Sequence, residues 1–232
     1  MTNYWRNKRV LITGINGFVG GNLCKALLNE GAEIFGYIRN KNENTFLYHE
    51  KLDSRVKIFF GDLCDKNLLS RIISEEQINN VFHLAAQVEV GVGMANPYLT
   101  FETNVRGTYS LLEACRLFPN SLETIVIASS DKSYGSYPRE MMPYKEDYAL
   151  QPQYPYDTSK ACADLIAQSY AKTYHTLPIV ITRFCNIYGP GQLNLTALIP
   201  DAIRSCLLNK KFSLRSNGEA IRDFIYIDDI TE

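Results

Sequence analysis

The chain has 232 residues, 46% hydrophobic and 21% charged, with a formal net charge of -1. That length suits one large α/β domain, or one domain with part of a second, and the balance is that of an ordinary globular protein. Near-neutral charge without a Lys/Arg-rich block argues against nucleic acid or a membrane surface as partner and leaves a small molecule as the expected ligand.

No stretch reaches the roughly 18 consecutive apolar residues of a membrane span, and the N-terminus has no charged region leading into an apolar one. The cysteines (Cys24, Cys64, Cys115, Cys162, Cys185, Cys206) are scattered, without a CxxC pair or a nearby histidine pair. They read as free thiols of a cytoplasmic protein, with neither a metal site nor a disulfide framework.

The first strand, Lys8 to Thr13, ends abruptly in GINGFVG (Gly14 to Gly20), and a helical pattern follows, stopped by Gly31. Strand, glycine turn and helix open a βαβ unit. Gly14, Gly17 and Gly20 allow a tight turn, close backbone approach to a pyrophosphate and close helix packing; Asn16, Phe18 and Val19 lie between them. The helix N-terminus then offers free N–H groups to the phosphates of a dinucleotide.

The second strand, Glu33 to Ile38, ends in Arg39. An arginine there fits the 2′-phosphate of NADP rather than the ribose hydroxyls of NAD, or is a solvated surface residue. Asn40 to Ser54 is polar and aperiodic, a predicted loop. The third strand, Val56 to Phe60, runs into Gly61, Asp62 and Leu63, where Asp62 either accepts from an adenine amino group or caps the next helix. The fourth strand, Asn80 to Leu84, delivers Ala85 and Ala86, small residues suited to lying against a cofactor; His83 inside it reads as a packed core histidine. A helix is predicted from Pro97 to Phe118, with Asn104 either steadying a catalytic loop or making a plain interhelical hydrogen bond.

The fifth strand, Leu122 to Ala128, opens into SSDKSYG, Ser129 to Gly135. Residues there sit at the carboxyl end of a parallel strand, where open α/β sheets bind ligands. Ser136 to Gln153 is a loop long enough to fold over a substrate. The helix Tyr156 to His175 places Tyr156 and Lys160 one turn apart on one face, so an ammonium can lie near a phenolate. A sixth strand, Pro178 to Thr182, leads into RFCNIYGPG. Beyond it come a helix from Ala197 to Leu208 and the segment RDFIYIDD, Arg222 to Asp229.

GINGFVG, FHLAA (Phe82 to Ala86), Tyr156-x-x-x-Lys160, RFCNIYGPG and RDFIYIDD in this order resemble the extended short-chain dehydrogenase/reductase family, specifically its nucleotide-sugar epimerases and dehydratases. The resemblance implies a Rossmann-type doubly wound parallel sheet over residues 1–183, carrying the catalytic groups. A substrate-binding region at 184–232 is expected to be incomplete, because the family normally continues past the equivalent of Glu232. It further implies NAD or NADP, with Arg39 leaning toward NADP, a nucleotide-diphosphate sugar as substrate, and a homodimer. The cofactor site comprises Gly14, Asn16, Gly17, Phe18, Val19, Gly20, Arg39, Asp62, Leu63, Leu84, Ala85, Ala86, Tyr156 and Lys160.

Ser130 matches the family's catalytic Ser/Thr, and Tyr156 with Lys160 its base and helper; Lys160 and the nicotinamide charge together are expected to lower the phenol's pKa. Ser130-Asp131-Lys132 is similar to the CDP-glucose 4,6-dehydratases, while an arginine like Arg39 is seen in the GDP-mannose branch. Asp131 and Lys132 are then the acid and base of dehydration, or else a structural ion pair at a loop start. A 4-epimerase and a non-catalytic cofactor-binding subunit are the competing functions. Asn186 and Arg222 are expected at the sugar diphosphate, with turn-stabilising and surface-pairing roles as the alternative.

Overall fold

Strand side chains alternate between two faces, and in the strand Arg9–Thr13 (β1) both faces are apolar: Val10, Leu11 and Ile12 are all fully buried. Such a strand needs a layer on each side. The computed structural model describes residues 4–214 and 217–232. It supplies both layers through six parallel strands in the order β3-β2-β1-β4-β5-β6, where β2 is Glu33–Ile38, β3 Lys57–Phe60, β4 Asn80–His83, β5 Thr124–Ser130 and β6 Ile179–Phe184. Chain order reverses between β1 and β4, which opens a crevice at their carboxyl ends.

Leu11, Phe35, Tyr37, Val81, Ile125 and Ile127 face one layer, made by α3 (Lys66–Glu75), α6 (Gly107–Leu117) and α7 (Pro155–Thr173). Val10, Ile12, Ile34 and Ile38 face the other, with α1 (Phe18–Asn29) and the segment around Phe46 to Leu52. This segment corrects the predicted 40–54 loop. It holds a helical turn, Phe46–His49 (α2), and a 3-10 turn, Leu52–Arg55. Phe46, Leu47 and Leu52 are buried against α1, an anchoring too short to show any helical period in sequence.

The predicted 97–118 helix is also broken up. A helix Val90–Ala95 (α4) precedes Pro97–Phe101 (α5), a π-helical turn follows over Glu102–Arg106, and only then does α6 begin. Residues 184–232 form a two-stranded parallel pair, β7 (Asn186–Tyr188) with β8 (Phe224–Tyr226), together with α8 (Leu198–Leu207) and α9 (Asp228–Thr231). They sit against α1: Asn22 Nδ2 donates to the Pro190 carbonyl at 3.0 Å, and Ile227 is fully buried.

Between the layers runs a buried polar chain. Ala85 N–H donates to Thr13 Oγ1 (3.2 Å), Thr13 lies 2.8 Å from His83 Nδ1, and His83 Nε2 lies 3.0 Å from Thr108 Oγ1. The Thr108 hydroxyl donates to the Asn104 carbonyl at 2.6 Å. Because Thr108 spends its proton there, it accepts from His83, so the imidazole is neutral with its proton on Nε2. His83 is the core histidine expected, and burial followed by the Lys160 charge pushes it from 6.5 down to about 3.

The unfolded chain therefore takes up a proton at His83 below pH 6.5 that the folded chain refuses until about pH 3. Stability from this group is complete above 6.5 and is lost as pH falls through that window, by at most about 1.4 kcal/mol per pH unit. Urea unfolding between pH 7 and pH 5 is expected to show a smaller loss of stability in His83→Gln than in the unmodified protein; equal slopes would refute a buried neutral imidazole.

Candidate active site

At the switch point lies a cavity of about 510 Å³, within the usual range for small-molecule sites. Gly14, Asn16, Gly17, Phe18, Val19 and Gly20 form one wall; Arg39 and Asp62 stand at one end, with Leu63, Leu84, Ala85 and Ala86 along the other side. The glycines are required here. Gly14 has φ +72°, and a Cβ on it would lie 2.8 Å from the Ala85 backbone; a Cβ on Gly20 would strike the Gly14 carbonyl. The space so kept open, at the N-terminus of α1, fits a dinucleotide's pyrophosphate.

Arg39 is exposed at the cavity rim. Asp62 does not cap the next helix: Asp65 does, accepting from Leu68 N–H at 3.0 Å, while Asp62 Oδ1 accepts from Cys64 N–H at 2.8 Å and keeps its place in the wall. Tyr37, Gln87, Val88, Leu99 and Thr103 also line the cavity and were missed in sequence. Leu99 and Thr103 come from the α5 and π-helical segment, whose position no local pattern announces.

Asn104 makes the interhelical hydrogen bond considered for it and also ties the loop after β4. Its Oδ1 accepts from Gln87 N–H (2.7 Å), and its Nδ2 donates to the Gln87 carbonyl (3.0 Å) and to Ser159 Oγ (2.9 Å), joining the loop after β4 to α7.

The strand β5 is shifted two residues along from the predicted Leu122 to Ala128, so Ser129 and Ser130 are its last residues, paired with Arg183 and Phe184 of β6. The next turn, Asp131 to Tyr134, lies against α7. Ser130 Oγ donates to Asp131 Oδ1 at 3.0 Å and accepts from Lys132 N–H at 3.3 Å. Among the described residues Asp131 and Lys132 form no ion pair. Lys132 instead acts on Asp157: burial raises that carboxyl's pKa, the lysine lowers it and Asp131 raises it.

Tyr156 and Lys160 lie on α7 as expected, and Gly93 of α4 lies against Tyr156. Their electrostatics depart from expectation. The Tyr156 phenol is pushed up to about 12 by burial, with Asp131 and Asp157 adding to the rise and the Ser130 hydroxyl offsetting part of it. Lys160 does not bring it down: buried, it turns its ammonium to the Ala128 carbonyl at 2.5 Å. Desolvation lowers Lys160 to about 8, opposed by Asp164.

Asn186 takes the turn-stabilising role given as its alternative. Its Nδ2 and its backbone N–H both donate to the Asp223 carbonyl, at 3.0 and 3.3 Å, holding β7 to β8. Arg222 is exposed next to that strand pair.

A glycine-walled cavity at the switch point of a doubly wound sheet, with a Ser-Tyr-Lys group beyond it, defines an NAD(P)-binding protein of the Rossmann type. The pattern of the NAD dependent epimerase/dehydratase family matches residues 10–232, and the chain belongs to that family. It is 34% identical to a dTDP-D-glucose 4,6-dehydratase of Dictyostelium discoideum over 96% of this chain and 54% of that protein. It is 32% identical to a CDP-glucose 4,6-dehydratase of Salmonella typhimurium over 97% of this chain and 64% of that one. The chain therefore spans between half and two thirds of these relatives. Among solved structures, a dTDP-glucose 4,6-dehydratase double mutant from Streptomyces venezuelae with NAD bound superposes with a TM-score of 0.84 at 31% identity, covering 96% of this chain and 69% of that one.

Gly14→Ala forces a β-carbon into the Ala85 backbone at an unfavourable φ. Dinucleotide affinity is expected to fall more than about tenfold, with a stability loss of about 1–3 kcal/mol. Titration calorimetry and thermal melting measure the two, and unchanged affinity would remove the turn from the site.

Proposed function

We propose that the protein is a nucleotide-sugar 4,6-dehydratase, converting an NDP-hexose to an NDP-4-keto-6-deoxyhexose in a redox-neutral cycle. The observation that carries this reading is the Asp131–Lys132 turn: two groups of opposite charge, unpaired with each other, one step past Ser130 and beside Tyr156. When bound, the nicotinamide supplies a reversible two-electron acceptor and a positive ring. Tyr156, with its phenol near 12, becomes an effective base only next to such a charge. It then takes the proton of the sugar 4-hydroxyl while Ser130 donates to the developing ketone. The ketone acidifies C5, and Asp131 and Lys132 divide the elimination, one removing the C5 proton and the other protonating the departing C6 hydroxyl, which leaves as water. The two electrons taken at C4 would return as hydride at C6 with a solvent proton at C5, completing the product and restoring the oxidised cofactor. Arg222 meets the diphosphate, a role suited to a guanidinium.

NAD is the better-supported cofactor, since the Streptomyces neighbour holds it; Arg39 at the cavity rim keeps NADP as the second reading. We place the protein in the cytoplasm on its six free cysteines. We take it to be a homodimer through α6 and α7, where Tyr109 and Leu165 are exposed. Among the described residues no helix is long and apolar enough to cross a membrane.

Incubation with CDP-, GDP-, UDP- and dTDP-hexoses in deuterated water is expected to give a product that has lost one water and gained deuterium at C5, read by mass spectrometry. A product of unchanged mass would make the protein an epimerase, and firm dinucleotide binding without any turnover would make it a non-catalytic subunit. Lys132→Met is expected to slow water loss by at least about a hundredfold, and full activity in that variant would strike Lys132 from the chemistry. For the cofactor, fluorescence titration of Arg39→Ala is expected to leave NAD affinity unchanged; if NADP is the natural ligand its affinity falls about tenfold or more.

A further inference from the structure

We propose that Arg183 is a positioning residue that sets the place of Asp131 and Lys132, an inference that rests on the dehydratase reading. Arg183 stands in β6 opposite Ser129 of β5, on the edge strand of the sheet. Its guanidinium is used on three sides. Nε donates to Asp164 Oδ2 at 2.8 Å and Nη2 to Asp164 Oδ1 at 3.1 Å, a two-point clasp on α7. Nη1 donates to the Tyr134 hydroxyl at 2.8 Å and to the Glu146 carbonyl at 2.9 Å. One planar group thus joins the helix, the last residue of the Asp131 to Tyr134 turn, and the long loop after it.

The clasp is firm at its base. Asp164 is fully buried, one turn beyond Lys160, and its Oδ1 also accepts from Gln168 Nε2 at 2.7 Å. Arg183 and the hydrogen bonds at Asp164 hold this carboxyl below the usual range against the rise that burial imposes. The far end is braced as well: Tyr134 stacks on Tyr144 with ring centroids 4.8 Å apart, and the Tyr144 hydroxyl donates to the Gly135 carbonyl at 2.9 Å. Opposite these contacts, Lys160 is anchored by the Ala128 carbonyl and Tyr156 lies against α4. None of Arg183, Asp164 and Tyr134 lines the glycine-walled cavity. Arg183 also meets α7, one turn beyond Lys160, but Lys160 and Tyr156 keep the Ala128 carbonyl and α4 as supports of their own, whereas the Asp131 to Tyr134 turn is tied to the clasp through Tyr134. A lysine cannot replace the clasp, because an ammonium lacks the flat fork that reaches Asp164 twice while still facing Tyr134.

The test uses the full chain with Arg183→Lys, Arg183→Met and the milder Tyr134→Phe, which keeps the clasp and loses one bond. NAD affinity, by calorimetry, is expected to stay within about twofold in all three. Amide hydrogen exchange over residues 131–151 is expected to speed up about tenfold or more in both Arg183 variants and less in Tyr134→Phe, with β1 and α1 unchanged. With an NDP-hexose, the absorbance of the reduced cofactor is expected to appear at a near-normal rate, while water loss and C5 deuterium uptake fall about a hundredfold, the scale of a misplacement near 1 Å. Equal loss of both steps, or of NAD affinity and melting temperature with them, would reduce Arg183 to a general stabilising role and overturn the proposal. Unchanged exchange across 131–151 would also overturn it. If the unmodified protein turns over no NDP-hexose, the dehydratase reading fails by itself, and the exchange measurement alone decides whether Arg183 holds the turn.

Discussion

The site depends on a buried line of hydrogen bonds that ends at Asn104. Ala85, Thr13, His83 and Thr108 pass one donor to one acceptor across β1, β4 and α6, and Asn104 continues it to Gln87 and to Ser159 in α7. Thr13, His83, Thr108 and Asn104 are buried, so an unmade bond among them would cost the desolvation of the group left over. Thr108 fixes a proton on His83 Nε2, and burial keeps the imidazole neutral. The line fixes Ala85 against Gly14 on the cavity side and α7, with Tyr156 and Lys160, on the other.

The chemistry is set in a place that works against it. Burial drives the Tyr156 phenol up to about 12 and the Lys160 amine down to about 8. Both shifts favour the uncharged forms, and Asp131 and Asp157 deepen the first. Such a site rests with its proton on the tyrosine and responds strongly to a positive charge brought beside it, because little solvent is present to screen that charge.

The loop 136–153 reads in sequence as a cover for a substrate, yet it is tied down by its own tyrosines. The Tyr137 hydroxyl donates to the Ala149 carbonyl at 2.8 Å and the Tyr148 hydroxyl to the Met141 carbonyl at 3.0 Å; Tyr134 stacks on Tyr144, Tyr144 meets Tyr137 edge-on, and Tyr137 packs at a tilt against Tyr148. Aromatic rings with hydroxyls at their tips close a polar loop without needing helix or strand.

What the sequence determined by itself was whatever local spacing encodes. GINGFVG between a strand and a helix defined the cofactor turn, apolar runs located the six strands, and Tyr156 with Lys160 four apart had to share a helical face. Ser130, Asp131 and Lys132 follow the fifth strand, so their place at the carboxyl edge followed from the parallel topology. Other features were decided only by tertiary structure. Phe46, Leu47 and Leu52 turn a polar stretch into helical turns because α1 offers them a surface. Asn186 donates to the Asp223 carbonyl. Lys160 points its ammonium at Ala128 instead of assisting Tyr156. In each case one side chain chooses between partners distant in sequence, and that choice depends on which partner the folded chain brings within about 3 Å.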